Sequence, residues 1–293
     1  MTDPFARVKD AIADTLGALL PQQSDIAQPM VDAMRHAVLG GGKRMRPLMA
    51  CAACEAFSGS FKAALPAACG LEFIHAYSLI HDDLPAMDDD ELRHGQAATH
   101  IAFGEANAIL AGDSLHSLAF QSIAEAPALS HAAKLHCISL LSTAAGWPGM
   151  AGGQCLDIAA EGEELSLARL EALHSAKTGA LIEASLVIGA YCAEVAPNNP
   201  RLALLRTFGQ RIGLAFQIVD DILDETESSE TLGKPAGSDQ ALHKNTFPKL
   251  MGLAGAQQRA EALLAESLAL LKEADVATEL LKGLAERSVK RNH

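Results

Sequence analysis

Aromatic side chains are scarce in this 293-residue chain, with one Trp, two Tyr and nine Phe, 4% in all. β-Branched residues are also thin beside the abundant Ala and Leu. A sheet is therefore poorly supported, and an all-helical fold is expected. Basic residues are outnumbered 23 to 36, and the net charge of −13 argues against general nucleic-acid affinity. An anionic substrate would need local cations to override that field. No uninterrupted apolar run reaches about 18 residues, so no membrane span is expected. The N-terminus, MTDPFARVKDAIAD, is charged and carries no apolar signal core, which argues against secretion. Cys51 and Cys54 form a CxxC, but no second pair and no His pair completes a zinc pattern. They and Cys69, Cys137, Cys155 and Cys192 sit mostly in Ala/Leu-rich runs, as small buried hydrophobes in a reducing cytoplasm do. No Ser-His-Asp set is evident.

What the chain has in quantity is acid in two places. Ile80 to Gly95 reads IHDDLPAMDDDELRHG, with Asp82, Asp83, Asp88, Asp89, Asp90 and Glu91 within ten positions. An apolar stretch from Leu71 leads into it. Six carboxylates at the negative end of an apolar helix resist ionising together. A hard divalent cation held by oxygen ligands relieves them, and Mg²⁺ suits this set because it completes its shell with water and substrate phosphates. The second cluster, Asp220-Asp221-Ile222-Leu223-Asp224, follows the apolar run Ile212–Val219. Asp220 and Asp224 lie about 40° apart on a helical wheel, so one face carries both. In DDLPAMD, Asp88 comes six positions after Asp82, about 120° away on an ideal helix. Pro85 must bulge or break the helix and so can bring Asp88 round. Asp89 to Glu91 read as a solvated loop.

Apolar spacing predicts helices over 3–20, 26–39, Pro47 to Phe57, 64–84, 105–125, 129–145, 151–160, 166–195, 201–225, 245–254, 256–274 and 276–289. Gly40-Gly41-Gly42 ends the second, and 226–243 reads as a loop. With no linker and no repeat, the expectation is one domain over 1–293, a bundle with its site between facing helices. Cations stand beside the acids and glycines: Lys43 and Arg46 after the triglycine, Arg93 after the first cluster, Lys177-Thr178 in an apolar helix, and Lys234 and Lys244 around the loop after DDILD.

GGGKRMRP, DDLPAMD, KTG, FQIVDDILD and LGKPAGSD, in this order over essentially the whole chain, resemble the short-chain trans-prenyl diphosphate synthases. The resemblance implies an all-α isoprenoid-synthase bundle of ten or more helices around a central cavity, and a cytoplasmic homodimer. It implies head-to-tail joining of isopentenyl diphosphate to dimethylallyl and then geranyl diphosphate. Asp82, Asp83, Asp88, Asp220, Asp221 and Asp224 would hold Mg²⁺, about three ions per site with substrate bound. Arg93, Lys177, Thr178, Gln217, Lys234 and Lys244 would contact the allylic diphosphate, and Lys43, Arg46 and His75 the isopentenyl diphosphate. Where relatives usually carry a second arginine after the first cluster, this chain has His94. A histidine there makes the isopentenyl diphosphate KM expected to rise above neutral pH. Tyr77, five residues or roughly 7.5 Å before Asp82, resembles the floor that stops growth at C15, with the small Ser78 beside it. C10 and C20 products are alternatives within the family. Outside it, His81-Asp82 mimics the helical His-Asp phosphohydrolases, and a terpene cyclase would share the first motif.

Overall fold

The computed structural model describes residues 4–58, 60–160, 162–226 and 245–290. Lys234 and Lys244, and all of the expected loop except Thr226, lie outside them. The chain is an all-α bundle. Its first helices are α1 (Pro4–Leu19), α2 (Gln28–Leu39), α3 (Met45–Ser58) and α4 (Leu65–Asp82). A hairpin of β1 (Leu92–Arg93) and β2 (Gln96–Ala97) follows, then α5 (Thr99–Phe103), α6 (Glu105–Ala124), α7 (His131–Ala145) and α8 (Met150–Ala159). The rest comprises α9 (Leu167–His174), α10 (Ala180–Cys192), α11 (Arg201–Thr226), α12 (Phe247–Met251), α13 (Leu253–Glu273) and α14 (Glu279–Val289).

Two helices are apolar all round and are therefore central. Every residue of α10 from Leu181 to Cys192 except Glu183 is buried. Helix α4 begins with Pro66 in its first turn, where a missing N–H costs nothing, and buries ten residues. The segment Phe61–Asp82 is long and apolar enough to cross a membrane by composition, but it packs among α1, α3, α6 and α10 and is mostly buried. Gly189 lets α10 lie close on α3, since a Cβ there would stand 2.2 Å from the Ala50 carbonyl oxygen. Five of the six free cysteines are buried, with Cys155 exposed.

The apolar interior has a large cluster under α1–α7, α10 and α14, and a small one among α9, α11, α12 and α13. Helix α11 serves both, with Leu205, Phe208 and Ile212 in the first and Leu214, Ile218 and Val219 in the second. Sequence periodicity predicts one helix over 166–195. The structure has that helix from Leu167 to Cys192, α9 running into α10 through a π-turn, Ser175–Gly179. The hairpin and α5 were not expected at all.

Candidate active site

Helix α4 stops at Asp82, and the chain doubles back. Asp83 still donates to the Leu79 carbonyl at 3.0 Å, Met87 N–H closes a turn on the Leu84 carbonyl at 2.8 Å, and Asp88 N–H donates to the Asp82 carbonyl at 2.8 Å. That last bond places Asp88 beside Asp82 despite their spacing, the return expected from Pro85. Asp82 lines a cavity of about 450 Å³ with Arg46, His75, Tyr77, Ser78, Lys177 and Thr178. Burial pushes its carboxyl up to about 6, with Lys177 pulling down and Asp88 pushing up.

Asp83, one residue and about 100° further on, points elsewhere. It is buried and accepts from Arg93, at 2.9 Å from Nε and again from Nη2. Burial raises its carboxyl even against that partner. Asp82 and Asp88 stand together, while Asp83, expected with them to hold Mg²⁺, pairs here with Arg93. Asp90 is also more than a solvated bystander, since it accepts from Arg93 Nη2 at 3.1 Å.

Arg93 is carried by the hairpin, whose two-residue turn, His94-Gly95, has both φ positive, 53° and 76°. A type I′ turn requires this, and histidine tolerates it better than most side chains. The hairpin is strapped to the triglycine turn. Gln96 Nε2 donates to the Gly40 carbonyl at 2.9 Å, and a His36 ring nitrogen meets the Ala97 carbonyl at 2.9 Å. His94 thereby lies over Gly42, where a Cβ would stand 3.6 Å from its Nε2. Burial, then Arg93 and Arg44, hold the His94 pKa below the ordinary histidine value. Lys43 is exposed on the same turn. Arg44 is structural: it pairs with buried Glu72 at 2.5 Å and donates to the Val38 carbonyl. Arg46 reaches the cavity with a buried Nε that meets no acceptor among the described residues. His75 beside it is held neutral by burial and by the charges of Arg46 and His94.

The second cluster lies within α11 with no break. Asp221 faces inward: its Oδ2 accepts the Phe247 N–H at 3.0 Å and its Oδ1 accepts from Gln217 Nε2 at 3.1 Å. Gln217 in turn accepts from the Thr178 hydroxyl at 3.2 Å, so it is linked to the cavity wall through Thr178. Asp221, also expected to hold Mg²⁺, is likewise hydrogen-bonded to groups of the protein here. Asp224 is also buried, while Asp220 is near enough to Arg46 to stabilise its charge. Among the described residues no three His, Cys, Asp or Glu side chains converge to hold an ion by themselves. Asp82, Asp88 and Asp220 offer oxygen ligands only and leave the shell to be completed by phosphate and water, which fits Mg²⁺.

Lys177 sits in the π-turn and donates to Asp157 at 2.6 Å. The turn lies hard against α8, where a Cβ on Gly153 would stand 2.2 Å from Lys177 N. Sequence reasoning missed Asp157, although it is the only charged residue in the α8 segment MAGGQCLDIA. His81 turns away from the acids, its Nε2 at 3.1 Å from the Ile109 carbonyl and its ring against Gly112. The His-Asp pair that would signal a phosphohydrolase is therefore not formed.

The polyprenyl synthetase family model matches residues 27–282. The chain belongs to that family. It is 46% identical to farnesyl diphosphate synthase of Escherichia coli (strain K12) over 90% of each chain. It is 44% identical to a chloroplastic geranylgeranyl pyrophosphate synthase of Catharanthus roseus, covering 83% of this chain and 68% of that one. Among solved structures, geranyltransferase from Helicobacter pylori, complexed with magnesium and isoprenyl diphosphate, superposes with a TM-score of 0.86 at 32% identity, covering 99% and 98% of the two chains.

Proposed function

We propose that this polyprenyl synthetase is a farnesyl diphosphate synthase, joining isopentenyl diphosphate to dimethylallyl and then geranyl diphosphate. One observation carries the reading: Asp82, Lys177, Arg46 and His75 share one cavity whose other wall residues include Tyr77, Met87, Met150 and Ile158. Two charged head groups and an apolar tail are what such a cavity would take.

Asp82, Asp88 and Asp220 would hold Mg²⁺, about three ions per site, against the allylic diphosphate. The metal supplies counter-charge to the departing diphosphate. Lys177, Arg93 and Thr178 donate to the same group, and Lys177 exchanges Asp157 for phosphate oxygen. Arg46 Nε, buried without an acceptor, is a donor prepared for the second diphosphate, with Lys43 and His94 on the adjoining turn. The neutral His75 ring donates or accepts there without adding charge. As the allylic C–O bond ionises, Met87, Met150 and Ile158 keep water from the cation, and the alkene of isopentenyl diphosphate attacks it. The lost proton leaves on the diphosphate. No covalent nucleophile is required.

The enzyme acts as one domain over 1–293 in the cytoplasm and as a homodimer. Ile101, Ile109 and Leu110, exposed together on α5 and α6, support a covered face there. Sedimentation at micromolar concentration tests the dimer. Labelled isopentenyl diphosphate offered with each allylic primer, with and without Mg²⁺, tests the activity. Growth to C15 that depends on Mg²⁺ is expected, and phosphate release without growth would overturn the reading.

A further inference from the structure

Two polar atoms of opposite kind are orphaned at the cavity. Among the described residues, Arg46 Nε is a buried donor with no acceptor, and Gln154 Oε1 is a buried acceptor with no donor. Both residues line the same cavity, yet the two atoms do not satisfy each other. Buried polar atoms are seldom left so, and each calls for a partner that the cavity takes in. The donor suits an anion. The acceptor is the half that the aspartate motifs leave unexplained.

Gln154 comes from α8. The stripe of that helix that lines the cavity carries Met150, Ala151, Gln154, Cys155 and Ile158, at i, i+1, i+4, i+5 and i+8. Gln154 is the one amide among these apolar and small side chains. Its neighbours fix its place. Gly153 lies so close under the π-turn that a Cβ there would stand 2.5 Å from Lys177 Cα. Asp157, three residues further on, holds the Lys177 ammonium at 2.6 Å. Three residues of helix span about 4.5 Å. The amide is therefore a short step along α8 from the lysine that serves the departing diphosphate.

The nearby donors are already committed, Lys177 to Asp157 and the Thr178 hydroxyl to Gln217. Prenyl chains bring no N–H or O–H of their own. Once the allylic C–O bond ionises, they bring positive charge shared between C1 and C3. An amide oxygen is the negative end of a dipole. Held without a donor, it has no hydrogen bond to break when that charge develops. It is also too weak a base to draw a proton from the cation, so it stabilises without quenching.

We propose that Gln154 is a catalytic residue, whose Oε1 faces the allylic cation and stabilises it as it forms. This rests on the prenyl-elongating function proposed above.

The test compares the full chain with Gln154→Met, which keeps the length of the side chain and removes its dipole. With Mg²⁺ present, kcat for elongating geranyl diphosphate should fall on the order of 10²-fold while both KM values stay close to those of the parent. The melting temperature should not fall, because an orphaned polar atom gives way to an apolar one. Calorimetry supplies the readout that a structural role would not move. An ammonium analogue of geranyl diphosphate, with a protonated nitrogen in place of C3, should bind the variant on the order of 10²-fold more weakly than the parent. Geranyl thiolodiphosphate, uncharged at C3 and resistant to ionisation, should bind both proteins alike. Gln154→Leu repeats the comparison with a second apolar side chain. Equal loss of both ligands, or loss of neither, would overturn the proposal whatever the fall in kcat. If the parent chain itself elongates no primer, it is the proposed function that fails.

Discussion

The two aspartate motifs carry the same residues but are built differently. The first is broken: α4 ends at Asp82, and only the turn after Pro85 brings Asp88 back beside it. The second is unbroken, with DDILD inside α11. Yet both divide their labour alike. Of the first members, Asp82 lies in the cavity wall and Asp220 is near enough to Arg46 to stabilise its charge. The second member turns inward and is buried, Asp83 holding Arg93 and Asp221 holding Phe247 and Gln217. Adjacent residues on a helix point about 100° apart, so the two members of such a pair leave the helix in different directions. In each pair the second carboxylate is thus a hydrogen-bonded anchor.

That division is open to direct challenge. Asp82→Asn and Asp220→Asn should each lower kcat by on the order of 10²–10³-fold with an unchanged melting temperature, because each removes a carboxylate that would hold the departing diphosphate's counter-ions. If either variant melts early instead, that residue is an anchor too. Asp221→Ala should do the reverse. It leaves the buried Phe247 N–H without an acceptor and should cost about 1–3 kcal/mol, a loss of several degrees in thermal unfolding. Asp83→Asn weakens the hold on Arg93, and the allylic diphosphate KM should rise several-fold with a smaller change in kcat. An equal loss in both motifs' second members would mean they work as one unit with the ligands.

The smallest expected effect is at His94. Its pKa is lowered, so its charge is present only below the ordinary histidine range and is lost as pH rises through that lowered value. The isopentenyl diphosphate KM should therefore climb on the acid side of about pH 6.5 and stay flat above it. This moves the rise expected from sequence, which lay above neutrality. In His94→Arg the profile should be flat throughout. A rise confined to alkaline pH in both proteins would remove His94 from that role.

Most helices were legible because their apolar spacing is regular and their ends are marked, as by Pro21, the triglycine and Trp147-Pro148-Gly149. The return of Asp88 to Asp82 was legible from Pro85 alone. Other features were not. A hairpin of two-residue strands is too short to show alternation, and His94-Gly95 is a fainter turn signal than Asn-Gly. Arg44 and Glu72 lie 28 positions apart and Lys177 and Asp157 lie 20 apart, so neither pair has a local signature. Each carboxylate was nonetheless visible as a lone charge in an apolar helix, which is a sign of a partner elsewhere.

The π-turn between α9 and α10 has one more consequence. A π-turn holds one residue more than a regular helix needs to cover the same length. On one side of it α9 is moored in the small apolar cluster, and on the other α10 is moored in the large one. Shorten SAKTG by one residue and the π-turn can become regular α-helix, with both moorings kept. What such a chain would give up is the place from which Lys177 and Thr178 reach the cavity. The molecule therefore carries a surplus residue that its architecture has no use for, and its chemistry depends on that surplus.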